Sequence, residues 1–557
     1  MKQRICNTGV FHNGFSLLTR GAAGVCLLGV FGGVQAFPIA TGNDDIVVNW
    51  DQTVRYNYGQ RIQGRNDRAA ASTAARDESE FLFDKGDTIM NRLDLYSEFD
   101  LTYQRRMGFR VSGTFWYDDA YADDKSKSNP AFATTGATQP NYVNNNFSPY
   151  VKRYYHGPSG EFVDAFVWAN FEASGGTANV KVGRYGLLWG ESFFNTGAAN
   201  SVAASMAPVD GLKLSSSPGA TAKETLIPLN QASIIIPLTS TVELDAQYTF
   251  EYRASRAPEA GTYFGLTDVA LDGPDLLFAG GAARFRQQPN QGRGGDIGLM
   301  MKFTPAWMDG TLSVVYRRYD DKNYGHFVLG AGTYRYVANR NIELYGVTLN
   351  KNILGVAVGA EVSQRKNQTL PSPGGAIAAN SASKIPTGET MHALINGTKA
   401  WGKTSVWDTA TLVGELTWSH LSRVSTNVAS FQGNSLAGCI NNTLRLAAGC
   451  PTKEAYRLDL LFNPGWQQVF PGVDLSMPLV YQIGLKGNTP AVGSGQNEGS
   501  MTYQIGLSAT VFNVHFFSLA YTGFDNKHKG TGATYINNGS SAYYDRGWLN
   551  FNYRTNF

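Results

Sequence analysis

The chain has 557 residues, 16% of them charged and 12% aromatic, with 62 glycines and a formal net charge of +3. That composition is too rich in glycine and rings for a coiled coil and too apolar for a disordered chain. Lys and Arg are not concentrated anywhere, so nothing suits nucleic acid, and no linker, charge run or composition shift divides residues 37–557, which points to one large closed sheet.

Residues 1–36 stand apart. Lys2, Arg4 and Arg20 precede the apolar run "GAAGVCLLGVFGG", and Val34-Gln35-Ala36 supplies the small residues of a cleavage site, so we expect a signal peptide ending at Ala36. The competing reading, an N-terminal membrane anchor, is weakened by an apolar run that is short for a spanning helix. Cys26 is a poor lipid acceptor because Val25 precedes it. Removing three bases and no acids takes the 47 basic residues to 44, against 44 acidic ones. The remaining cysteines, Cys439 and Cys450, lie in one polar segment, and an exported compartment permits a disulfide between them. Neither has a His or further Cys beside it, so no metal site is expected.

Beyond Ala36 no apolar stretch reaches the roughly 18 residues of a membrane helix. Strands with two unlike faces are plentiful. "RLDLYSEFDLTY" (92–103) sets Leu93, Leu95, Phe99, Leu101 and Tyr103 against Arg92, Asp94, Tyr96, Glu98 and Asp100, and "VELDAQYTFEY" (242–252) alternates in the same way. Candidate strands begin near 46, 90, 109, 162, 178, 232, 242, 295, 310, 340, 355, 389, 409, 455, 473, 501, 513 and 545. That is an even count of eighteen within a range of 14–18. Short connections ("QRRMG", "EASGGT", "TST", "TPAWMDG", "KNILG") alternate with long ones (119–161, 185–231, 254–294, 422–454). Sorting loops by length puts the long ones at one end and both termini at the other, the plan of an all-β outer-membrane antiparallel barrel with long extracellular loops and short periplasmic turns. Hydrocarbon cannot satisfy a sheet edge, so the sheet must close, with apolar residues toward lipid and polar ones toward the lumen. The chain ends "DRGWLNFNYRTNF", whose apolar set (Leu549, Phe551, Tyr553, Phe557) needs lipid as its cover. The last strand is expected to pair with "IVVNWDQTVRYNY" (46–58). The ending resembles the insertion signal of outer-membrane proteins, with Phe557 as its terminal ring and Thr555 where an aromatic is usual; the partners implied are outer-membrane lipid and the barrel-assembly machinery.

A wider resemblance runs through "VGRYGLLWGES" (182–192), "APVDGLKL" (207–214), "KETLIPL" (223–229), "GTYFGLTDV" (261–269), "IELYGVTLN", "GAEVSQRKNQT", "GVDLSMPLVYQIGLKGN" and "DRGWLNF". These blocks are similar to those of a Gram-negative family catalogued as the domain of unknown function numbered thirteen hundred and two, over nearly the whole mature chain. Tyr185 and Gln364 depart from its usual Gln and Tyr. The resemblance implies an outer-membrane barrel of unsettled activity. Such barrels are often encoded beside hydrocarbon, steroid or aromatic catabolism genes and beside inner-membrane exporters of the resistance-nodulation type.

An eighteen-stranded barrel encloses an aqueous lumen unless loops plug it, so passage or uptake is the expected role. The motif-dense stretch 185–231 is poor in lipid-facing character. It either folds inward as a constriction or is a strand end with a structural turn. Arg184, Trp189, Glu191, Asp210, Glu224 and Asp268 are the candidate constriction or binding residues, or else a buried charge network, since sequestered charges must pair. Tyr96, Trp116, Phe166, Trp168 and Trp548 fall on predicted lumenal faces and suit a hydrophobic or ring-containing cargo; a one-residue slip would make them an interfacial girdle instead. Glu243, Asp245 and Glu251 either favour cations or pair across the wall.

Two motifs are set aside. "GTKAWGKT" (397–404) matches a phosphate loop, but its flanks alternate as strands, and that loop works only between a strand and a helix N-terminus. Six His follow residue 36, yet no GxSxG or carboxylate pair accompanies them, so catalysis and cofactors are not expected. The reading is a channel for small hydrophobic or aromatic compounds. The alternatives are a general porin or outer-membrane partner of an exporter, and a lipid-modifying barrel enzyme.

Overall fold

A computed structural model describes residues 37–66, 78–128, 141–265, 271–279, 282–289, 292–373, 376–378, 385–435, 439, 446–447, 449–493, 497–529, 536–537 and 543–557. The expected signal peptide and Asp268 lie outside them.

Eighteen strands cross the wall: β1 Ile46–Arg61, β2 Thr88–Tyr103, β3 Met107–Asp118, β4 Ser159–Ala173, β5 Gly176–Tyr185, β6 Leu229–Pro237, β7 Val242–Thr249, β8 Ile297–Phe303, β9 Gly310–Tyr319, β10 Ile342–Ile353, β11 Val356–Thr369, β12 Thr387–Trp401, β13 Thr409–Thr426, β14 Glu454–Phe470, β15 (Val473–Ser476 and Leu479–Lys486), β16 Met501–Val511, β17 His515–Asp525 and β18 Trp548–Asn556. Each pairs antiparallel with its neighbours, and β18 closes on β1 from Thr53↔Asn556 to Arg61↔Trp548. Among the described residues the eighteen wall strands leave no free edge, as a hydrocarbon environment demands. It is a closed eighteen-stranded antiparallel barrel of the outer membrane.

Local chemistry explains the sorted connections. At the end where the chain begins and finishes, β10 turns into β11 through Leu354 and Gly355 with φ of 52° and 73°, and β16 turns into β17 through Phe512 and Asn513 with φ of 52° and 57°. Positive φ at successive turn residues matches the twist of the flanking strands. These turns carry a girdle of exposed apolar groups: Trp307 (84% exposed), Leu354 (94%), Phe470 (68%) and Phe512 (69%). Rings and aliphatics at that level belong in the membrane interface.

Alternation holds along the wall. On β7, Tyr248 is exposed while Asp245, Gln247 and Thr249 are buried; on β2, Leu93 is exposed while Arg92, Asp94, Tyr96 and Glu98 are buried. The outer set meets lipid and the inner set meets protein. Two features have no counterpart in the strand reading. Phe37–Ile39 adds a short strand against β1. Segments Leu276–Ala279, Ala282–Arg286, His326–Leu329, Thr333–Val337 and Ala376–Ala378 form a separate sheet within the extracellular loops. The disulfide expected between Cys439 and Cys450 forms in another such loop. Among the described residues no helix is long and apolar enough to cross a membrane.

Candidate functional site

Between β5 and β6, residues 186–228 leave the wall and enter the lumen. Their polar atoms bond to inward side chains on opposite sides of the barrel. On one side, Glu361 of β11 accepts from the backbone N–H groups of Glu191 and Val202, the latter at 2.9 Å. Glu415 of β13 accepts from the Ser192 hydroxyl (2.9 Å), Phe193 N–H (2.6 Å) and the Asn195 amide (2.6 Å). Arg365 of β11 donates to the Ser201 carbonyl at 2.5 Å. On the other side, Arg55 of β1 bonds Glu224 (2.6 Å) and Ser217 (2.9 Å), Ser217 donates to Asp94 of β2 (2.9 Å), Lys213 donates to Thr114 of β3 (2.7 Å), and Lys223 donates to Glu98 of β2 (2.9 Å). In a closed ring of eighteen, β2 and β11 stand half a circumference apart, so the segment spans the bore.

Local sequence shapes it. Asp210 caps helix α1 (Gly211–Ser216) by accepting from Lys213 N–H at 2.8 Å. Thr221 and Glu224 form a capping box on α2 (Ala222–Thr225), with Glu224 accepting from Thr221 N–H at 2.9 Å. Burial alone would raise the Glu224 carboxyl, but Arg55 and Lys213 beside it hold it down at about 2. It is therefore an anion at any ordinary pH.

The structure brings together most of the residues picked from sequence. Trp189 packs with Val202, Met206 and the inward Met300, Val315 and Tyr319, under the Arg317 guanidinium at 5.7 Å. Glu191 accepts from Asn350 of β10 at 2.9 Å and, through its carbonyl, from Asn396 of β12 at 2.5 Å. Asp210 pairs with Arg256 (2.7 Å), which also grips Glu161 of β4 (2.8 Å). Arg184 does not join them. It aligns with Ala165 and Asn230 on the set that includes Val182, which is 43% exposed on the outside, and its Nε has no hydrogen-bond partner. Gly183, at φ 132°, precedes it.

The family model described as "Protein of unknown function (DUF1302)" matches residues 17–557. The chain belongs to this family. No curated protein matches it. Among solved structures it is similar to Pseudomonas aeruginosa OpdK with vanillate (9% identity, TM-score 0.41, covering 92% of this chain and 98% of that one). Acinetobacter baumannii OccAB1 (12%, 0.43, 94% and 98%) and OccAB2 (10%, 0.41, 92% and 98%) are similar as well.

Inward-facing rings gather on β2–β4. Tyr96, Trp116, Phe166 and Trp168 share the inward faces: Tyr96 donates to Glu98 (2.7 Å), Trp116 stacks on Tyr154 (5.9 Å), Phe166 meets Tyr185 (5.5 Å) and Lys181 (4.6 Å), and Trp168 lies where a Cβ on Gly108 would be 2.9 Å from its indole nitrogen. Trp116 belongs to a larger cluster at the extracellular mouth that sequence reading missed. There Phe83, Tyr121, Tyr142, Phe147, Tyr155, Tyr263, Phe264, Tyr543 and Trp548 are drawn from four connections and one strand. Glu259 is buried beside this cap. Burial first, then the Asp272 carboxylate, push its carboxyl well above the usual range.

Other sequence signals resolve plainly. Glu243 and Asp245 pair with Lys302 (2.7 and 2.9 Å), and Glu251 pairs with Arg253 (3.1 Å). "GTKAWGKT" starts in β12 and ends in its turn, with no helix to receive a phosphate. His392 is buried on β12, 2.9 Å from Ser419 Oγ and 2.9 Å from Thr390 Oγ1, so its second partner is a hydroxyl where a catalytic triad would place a carboxylate. A cavity of about 490 Å³ opens on the outer wall among Leu101, Phe109, Val167, Val180 and Val182. It faces acyl chains and is not a route through the bore.

Proposed function

We propose that this barrel is an outer-membrane channel for uptake or passage of small hydrophobic or aromatic compounds, with residues 186–228 as its constriction. The observation that carries the reading is the placement of that segment, tied to β1–β3 on one side and β10–β13 on the other beneath a cap of buried rings. A wide barrel left open would pass ions freely; a bore crossed by a segment with ion-paired anchors narrows the path and sets what fits beside it. Rings at a mouth favour flat apolar molecules, which gain from stacking and burial. No enzymatic role forms part of this reading, and service to an inner-membrane exporter is compatible with it.

The test is planar-bilayer conductance of the purified mature protein with and without candidate steroids, alkanes or simple aromatics. The reading expects small currents that such compounds reduce. Large currents indifferent to them would favour a general porin.

A further inference from the structure

We propose that the outer wall binds an anionic phospholipid of the periplasmic leaflet, with an acyl chain in the groove across β2–β5 and the phosphate against Arg105 and Arg106 of the β2–β3 turn. This does not depend on what passes through the bore.

Strand register builds the groove. Two cross-strand rows point outward from four consecutive strands: Tyr103, Met107, Ala169 and Val180, and above them Leu101, Phe109, Val167 and Val182. Met107, Val167 and Val182 are exposed, which sets these rows on the lipid face. Both rows line the cavity of about 490 Å³, and no charged side chain joins them. Ala169 is the step in the lower row, a single methyl group between the longer Met107 and Val180. Phe99, in the next row up, holds the Phe109 ring at 5.8 Å. A hollow left empty forfeits dispersion contacts with its lining, so hydrocarbon fills it.

Charge at the foot of the groove selects which lipid supplies that hydrocarbon. Gln104, Arg105 and Arg106 join Tyr103 to Met107, so both arginines lie within about 7 Å of the lower row along the strand direction. The turn is pinned to β4: the Arg105 carbonyl accepts from the Asn170 amide at 3.4 Å and the Arg106 carbonyl from Asn170 N–H at 2.7 Å. Both arginines are exposed, and among the described residues neither forms an ion pair. Asp45 accepts from Gln104 at 3.2 Å, and the inward Arg110 pairs with Asp100 at 2.7 Å. Of the other seven turns at this end of the barrel, six carry no Lys or Arg, and the seventh holds Lys403, paired with Asp408 at 2.7 Å. Unpaired bases thus occur at one periplasmic turn, and it is the turn that borders the groove. Bases at a membrane surface favour anionic headgroups, and a guanidinium fork fits two oxygens of one phosphate. A zwitterionic lipid fills the groove equally well but brings a cation toward the same arginines.

Native mass spectrometry of the full mature chain, titrated in detergent with dioleoyl phosphatidylglycerol or dioleoyl phosphatidylcholine, tests this. The unmodified protein should retain phosphatidylglycerol at about tenfold lower lipid concentration than phosphatidylcholine. Arg105→Gln with Arg106→Gln should abolish that preference, and Lys403→Gln should leave it intact. Ala169→Trp, whose ring fills the groove from the lipid side, should lose the retained lipid of either kind; compact migration of the unboiled variant on gels shows that its barrel has formed. Equal retention of the two lipids by the unmodified protein would overturn the proposal, as would a preference that survives the double arginine substitution or is lost as fully in Lys403→Gln. So would an Ala169→Trp barrel that keeps its lipid, or dimers of the unmodified protein that this substitution disperses, since a second copy would then be what covers the groove.

Discussion

Arg55 of β1 and Glu224 of the inner segment meet at 2.6 Å with 1% of each side chain exposed. Removing one partner leaves the other buried and uncompensated, a loss of about 3–5 kcal/mol, whereas replacing both by apolar groups of similar volume is often neutral. Glu224→Gln should therefore raise amide exchange across Ala222–Thr225, and Arg55→Met with Glu224→Met together should restore much of the protection. The sign with pH follows. Glu224 is held at about 2 against an ordinary 4.5, so its stabilising charge is fully present above about pH 4.5 and is lost as pH falls toward 2. Rate-corrected protection of this segment at pH 5 should match that at pH 7.

His326, in the extracellular loop sheet, is 1% exposed, and burial lowers its pKa to about 4 from 6.5. The unfolded strand takes up a proton more readily than the folded one between those values, so stability is complete above pH 6.5 and declines as pH falls toward 4, by about 3 kcal/mol in all. Exchange over His326–Val337 should rise between pH 7 and pH 5, and His326→Leu should flatten that dependence.

Gly298 of β8 makes way for Trp189. A Cβ there would lie 2.8 Å from the indole and 2.8 Å from the Arg317 guanidinium. Gly298→Val should displace the ring, destabilising the segment by about 1–3 kcal/mol as overpacking does. Tryptophan emission shifted to the red, with strand content by circular dichroism unchanged, is the expected signature.

At the seam, Phe557 N–H donates to the Gln52 carbonyl at 2.8 Å and the Gln52 N–H donates to the Phe557 carbonyl at 3.0 Å. Deleting Phe557 removes two hydrogen bonds, about 1–3 kcal/mol, and the last outward ring. The fraction of unboiled protein that migrates as the compact barrel on gels should fall.

Much of this wall was legible because one physical requirement writes itself on every strand: lipid outside and protein or water inside force a period of two. The seam of β18 on β1 follows from the same rule. The inward segment was legible only as a stretch unsuited to lipid. Its anchors were not, because the partners of Ser192 and Glu224 lie at Glu415 and Arg55, hundreds or scores of residues away, and nothing local announces them. The same distance hid the ring cap, in which Tyr263 meets Phe83 and Trp548 meets Phe264. Arg184 differs from the other candidates for a local reason: its pairing with Ala165 aligns it with the outward set of β5.

The claim that residues 186–228 control flow through the bore is tested most directly by cutting their ties to β11 and β13. Planar-bilayer conductance of Glu361→Gln with Glu415→Gln should rise several-fold over the unmodified protein, with larger current fluctuations as the freed segment moves. Conductance equal to that of the unmodified protein, with exchange showing the segment loosened, would contradict the account.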